Sequence, residues 1–166
     1  IRLMFDMVFN HTSDRNQWFQ KALAGDPKYK DFYIFKKGPK PGVPPTNWES
    51  KFGGSAWEYV EKFDEYYLHL FDVSQPDLNW ENPEVRKEVQ NVIKFWLGKG
   101  IKGFRFDVVN LISKDKYEND YEGDGRRFYT DGPNIHKYLR ELNEATFGTD
   151  AEIITVGEMS STTMEN

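Results

Sequence analysis

Cysteine is absent from the 166 residues, which excludes disulfides, thiolate metal sites and a thiol nucleophile. No stretch approaches the roughly 18 consecutive apolar residues of a membrane span, and 30% of the residues are charged, so no membrane partner is expected. Basic residues are in deficit, 22 against 27 acidic ones, for a formal charge of −5. A phosphate backbone calls for a basic face, so nucleic acid is not an expected partner either. Internal repeats and low-complexity tracts are missing. Nothing ahead of Ile1 resembles a signal peptide, and Ile1 already lies in an apolar run, so a piece of a larger protein is expected.

Aromatic side chains are plentiful, at 16% of the chain. That is too many for a disordered polypeptide and enough for a core, with a ligand-stacking surface as the alternative use. The apolar run 1–9 ends in the turn residues Asn10, His11, Thr12 and Ser13, which predicts a buried strand. From Ser13 the composition becomes mixed and aromatic, and Pro39, Pro41, Pro44 and Pro45 interrupt it, as in a loop-rich insertion. Inside it the spacing predicts a short helix over 16–23 and short strands over 30–35 and 66–71. Asn82, Pro83 and Glu84 form a helix start. Val85, Val89, Val92, Ile93 and Trp96 then recur at helical spacing until Lys99 and Gly100 stop it. Residues 101–109 read as a second strand, 113–131 as a polar loop, 133–148 as a helix opened by Pro133, and 152–156 as a third strand. Alternating strands and helices imply a parallel sheet with helical crossovers.

Each of the three strands carries an acid near its carboxyl end: Asp6, Asp107 and Glu158. Parallel α/β folds place their sites at that edge. If Asp107 and Glu158 lie on adjacent strands about 4.8 Å apart, their carboxyl groups approach the ~5–5.5 Å separation of retaining glycosidases. Arg105 shares a side of its strand with Asp107 and favours an ionised carboxylate there, or else forms a structural ion pair. His11 is either a turn residue or a donor to a substrate hydroxyl. Residues 120–131 imitate a calcium loop, but Glu122 and Asp131 occupy the wrong positions and the flanks are not helical, so no metal site is read there. The sequon Asn10-His11-Thr12 abuts the candidate site and is discounted.

Three segments resemble, in order, the first three sequence blocks of the α-amylase superfamily, glycoside hydrolase family 13: Asp6-Met-Val-Phe-Asn10-His11, Gly103-Phe-Arg105-Phe-Asp107-Val-Val and Val156-Gly-Glu158-Met. Gln75-Pro-Asp-Leu-Asn79 resembles the fifth block as it stands in oligo-1,6-glucosidases, α-glucosidases and trehalose-6-phosphate hydrolases, and Phe52-Gly-Gly-Ser-Ala-Trp57 resembles their insertion. The resemblance implies an α/β fold, a fragment of a (β/α)8 TIM barrel. Residues 1–12 would be barrel strand three, 13–75 an inserted domain B, and 76–166 the stretch from barrel helix three to strand five. Asp107 would be the nucleophile and Glu158 the acid and base. Asp6, His11 and Arg105 would hold the sugar, and Phe52, Phe71 and Gln75 would line the pocket.

Gly123-Asp-Gly-Arg126-Arg127-Phe-Tyr-Thr-Asp131-Gly-Pro133 resembles the trehalose-6-phosphate-hydrolysing branch. Arg126 and Arg127 are candidate phosphate contacts, or else ion-pair partners of Asp120, Glu122 or Asp124. The family's third catalytic aspartate would lie beyond Asn166. The expected activity is hydrolysis of trehalose-6-phosphate to glucose and glucose-6-phosphate in the cytoplasm, by the full-length parent and not by this piece alone. No cofactor is called for, and the oligomeric state is left open. The alternatives are an α-1,6-glucosidase acting on isomalto-oligosaccharides and a non-enzymatic homologue of the transporter heavy-chain type.

Overall fold

Local capping and apolar spacing set where the elements begin and end. The computed structural model describes residues 2–162, so Ile1 and residues 163–166, where the expected outer segments start and finish, lie outside the described residues. In chain order the elements are β1 (Met4–Val8), α1 (Gln17–Ala24), α2 (Pro27–Lys30), β2 (Phe35–Lys36), β3 (Trp57–Val60), β4 (Glu65–Leu68), α3 (Pro83–Gly98), β5 (Gly103–Asp107), α4 (Arg126–Tyr129), α5 (Ile135–Thr146) and β6 (Ile154–Gly157). The described residues fall into two compact units, one of residues 2–10, 80–114 and 130–162, the other of residues 11–79 and 115–129.

In the first unit the strands run parallel in the order β1, β5, β6. The helix α3 starts as its residues dictate: the Asn82 side chain accepts from the Glu84 N–H at 2.9 Å, and Pro83 takes the first helical position. Val85, Val89 and Ile93 are its buried stripe, each worth roughly 1.5–3 kcal/mol of burial. Trp96 meets Phe5 of β1 at 4.8 Å between centroids, and Phe147, following α5, stacks on Phe104 of β5 at 6.1 Å. Both helical segments therefore cover the sheet face that carries Phe5 and Phe104.

The helix α5 begins at Ile135, not at Pro133 as expected. Gly132 packs so closely on Ser113 that a Cβ would lie 2.2 Å from its carbonyl oxygen, and the Asn134 N–H donates to Ser113 Oγ at 3.0 Å. That anchorage holds Pro133 and Asn134 in a turn before the helix can start.

The second unit has an antiparallel sheet in the order β2, β4, β3. Its strands are shorter than expected and shifted from 30–35 and 66–71. Asp26 caps the unexpected helix α2 by accepting from the Lys28 N–H at 3.0 Å, which draws Lys30 into that helix. Further along, the Leu70 N–H bonds to the buried Asp77 carboxylate at 2.9 Å instead of a strand. The strand β3 was not expected, and the polar loop contains the one-turn helix α4. Aromatic side chains build the core here: Phe19 packs edge-on against Tyr33 and Tyr67 at 4.9 and 5.1 Å, and Trp48 stacks with Tyr117 and Phe128 at 5.5 and 6.1 Å.

Candidate active site

Parallel pairing sets Asp6 beside Arg105, Val8 beside Asp107, and Arg105 beside Val156. Residues in register share a face, so Asp6, Arg105 and Asp107 project to one side of the sheet, opposite the helices. Glu158 follows the last residue of β6. Arg105 is the hub: its Nη1 donates to both Asp6 oxygens at 2.7 and 2.8 Å and to Asp107 Oδ1 at 2.9 Å. Its Nη2 donates to Glu158 Oε2.

One planar fork thus holds three carboxylates, a task that suits guanidinium and not ammonium. These bonds push Arg105 above its ordinary range, the Asp6 bond contributing most, with desolvation opposing and Asp107 adding. Asp6 differs in place from its expectation: it is the middle residue of β1, not the end, and it meets the middle of β5. Asp107 is the last residue of β5 and the less exposed carboxylate, its side chain 24% accessible against 47% for Glu158.

The backbone directly after Asp107 is strained. Val108 sits at φ 37°, ψ 42°, in the left-handed region, where a β-branched residue is an outlier costing on the order of 1–3 kcal/mol. This sharp exit turns the chain so that the Val109 N–H reaches the Glu158 carbonyl at 3.1 Å, while the Glu158 N–H bonds Phe106 O at 2.8 Å. The strain has no signature in the sequence, because valine is an ordinary strand residue.

The remaining expected sugar contacts lie in the second unit. Gln75 Oε1 accepts from the Asp72 N–H at 3.1 Å, which leaves its Nε2 to donate to His11 Nε2 at 3.1 Å. That orientation assigns the His11 Nε2 as the acceptor. The His11 ring lies 5.2 Å from Phe71, and Phe71 lies 5.8 Å from Phe52. Phe52 is 71% exposed, so this aromatic row ends on an open ring.

Ser50 ties the row's backbone together, donating to Phe71 O at 2.6 Å and accepting from the Phe52 N–H at 3.1 Å. Sequence reasoning missed Ser50. Its signal was the Gly53-Gly54 pair, both at positive φ, which closes the 50–54 turn onto Ser50.

Of the two alternatives for Arg126 and Arg127, the ion pair is the arrangement present. Arg126 pairs with Asp124 at 2.9 Å, and Arg127 pairs with Asp120 and Glu122, each at 2.9 Å. The buried Asp120 carboxylate also accepts from the N–H groups of Glu122 and Gly125, each at 3.1 Å, so the calcium-like loop is folded around its own backbone. Among the described residues there is no cluster of three His, Cys, Asp or Glu side chains suited to a metal, and no helix long and apolar enough to cross a membrane.

The sequence profile of the family described as "Alpha amylase, catalytic domain" matches residues 1–166. The chain belongs to the α-amylase family. Within it, the chain is 57% identical to a trehalose-6-phosphate hydrolase of Bacillus subtilis, covering 100% of this chain and 30% of that protein. It is 51% identical to an oligo-1,6-glucosidase of Bacillus cereus over 99% of this chain and 30% of that one. The crystal structure of Bacillus licheniformis trehalose-6-phosphate hydrolase superposes with a TM-score of 0.94 at 56% identity, covering 98% of this chain and 30% of that chain. The chain therefore spans about 30% of the length of these relatives. Its parallel β1, β5 and β6 with their helices are part of the (β/α)8 barrel of α-amylase family enzymes, and the Arg105 cluster lies toward the carboxyl end of those strands, the edge where barrel enzymes work.

Proposed function

We propose that the full-length protein is a retaining α-glucoside hydrolase whose first substrate is trehalose-6-phosphate. The observation that carries this is the Arg105 fork joining Asp6, Asp107 and Glu158 in a member of the α-amylase family. Asp107, ordered by Arg105, attacks the anomeric carbon. Glu158 gives its proton to the glycosidic oxygen as that bond breaks, leaving a glucosyl ester on Asp107. Glu158 then takes a proton from water, which attacks the same carbon and frees Asp107. Asp6, Arg105 and His11 hold the sugar, with Phe52, Phe71 and Gln75 as further contacts. No cofactor enters this balance.

In this reading residues 1–12 serve as barrel strand three, 13–75 as the inserted domain B, and 76–166 as barrel helix three to strand five. A phosphorylated disaccharide is charged and does not cross membranes unaided, so the cytoplasm is the compartment assigned.

The phosphate itself rests on the 57% identity to a trehalose-6-phosphate hydrolase. The carboxylates engaging Arg126 and Arg127 favour a second reading, an oligo-1,6-glucosidase on isomalto-oligosaccharides, because a phosphate would have to displace them. The catalytic scheme is tested by proton NMR of the first product. Retention predicts that α-glucose appears before mutarotation, and that an Asp107→Asn variant gives none. An initial β-anomer would contradict the assignment of Asp107.

A further inference from the structure

We infer that Asn110 is a positioning residue for Glu158, acting through a two-point bond between its carboxamide and the backbone of Ser160. The inference rests on Glu158 being the proton donor of the proposed reaction. Glu158 is the first residue past β6, which ends at Gly157, and its N–H makes the last bond to β5, at Phe106. What holds segment 158–160 is the exit of β5.

The Phe106 carbonyl and the Val109 N–H take the backbone of Glu158 itself. Two residues on, Asn110 Oδ1 accepts from the Ser160 N–H and Asn110 Nδ2 donates to Ser160 O, each at 2.9 Å. Asn110 is fully buried, and its backbone carbonyl accepts from the Asp131 N–H at 3.0 Å, so the main chain that carries the carboxamide is itself anchored. A carboxamide satisfying both backbone groups of one residue imitates a strand partner and carries the pairing past the end of the sheet.

Asn110 lies three residues after Asp107, beyond the left-handed Val108. The proposed nucleophile and proton donor are thereby attached to one short, rigid exit. A proton donor displaced by a fraction of an ångström loses transfer efficiency, while the nucleophile on β5 keeps its place.

That asymmetry gives a test in the full-length enzyme. Cleaving a disaccharide needs a proton on the departing sugar oxygen, whereas 4-nitrophenyl α-glucoside releases a phenolate that leaves without one. The parameter to compare is kcat/KM, which reports bond cleavage. For Asn110→Ala we expect a loss on the enzyme's best disaccharide about tenfold or more greater than the loss on the nitrophenyl glucoside. A purely structural role lowers both alike, so equal losses, or none, overturn the inference.

If Asn110→Ala does not fold, the isosteric Asn110→Asp carries the test. It keeps the acceptor for the Ser160 N–H and sets an oxygen against Ser160 O in place of the donor, so the same selective loss is expected, and equal losses overturn the inference there too. Failure of the wild-type enzyme on both substrates would bring down the glycosidase reading itself, whereas wild-type turnover with unselective losses removes only the role of Asn110.

Discussion

Arg105 is the side chain on which the site's geometry turns. Its two terminal nitrogens reach Asp6, Asp107 and Glu158 at once, and no single ammonium reproduces that fork. Arg105→Lys should retain a positive charge but release at least one carboxylate. The expected result is a fall in kcat/KM of about 10- to 100-fold, as for loss of a charge-assisted bidentate contact, with the thermal midpoint little changed because the cluster is part-exposed. A variant with wild-type kinetics would contradict the hub role.

Much of this was legible beforehand: Asp6, Arg105 and Asp107 stand at even spacing within two apolar runs, and period two already puts Arg105 and Asp107 on one side of their strand. What was not legible was conformational. The strain at Val108 and the side-chain bonds of Asn110 depend on where the backbone goes after β5 ends, and no residue pattern states that.

Elements with strong local signals came out where their residues predict. Asn82, Pro83 and the stripe from Val85 to Ile93 define α3 from within. Elements decided by distant packing did not. The start of α5 is set by Ser113, some twenty residues upstream, and α4 forms inside a stretch whose charges read as a loop.

The one-turn α4 is fixed from outside by tight packing. Gly125, just before it, has φ 97°, and a Cβ there would lie 2.5 Å from the Trp48 ring. Trp48 is itself stacked on Tyr117 and Phe128 and cannot retreat. Gly125→Ala should therefore cost about 1–3 kcal/mol of stability in equilibrium urea unfolding, from overpacking and an unfavourable backbone angle together. No change in the midpoint would contradict this packing.

At the scale of the whole molecule, the aromatic excess has an electrostatic consequence. Burial pushes the Tyr33 and Tyr129 hydroxyls up to about 12 from an ordinary value of 10.0. Between those limits the unfolded chain gives up protons that the folded chain keeps, so folding weakens as pH rises. The contribution is fully present below about pH 10 and is lost progressively through about pH 12. Thermal midpoints should hold steady up to pH 9 and fall steeply above 10, and Tyr33→Phe should make that fall shallower. A Tyr33→Phe profile parallel to the wild type would contradict it.

The central claim concerns the whole enzyme and its substrate, and it is tested most directly by comparing hydrolysis of trehalose-6-phosphate and isomaltose by the full-length protein, with Asp107→Asn as control. The account predicts a higher kcat/KM for trehalose-6-phosphate and loss of turnover in the variant. Preference for isomaltose would contradict the phosphate assignment, and turnover of neither sugar would contradict the hydrolase itself.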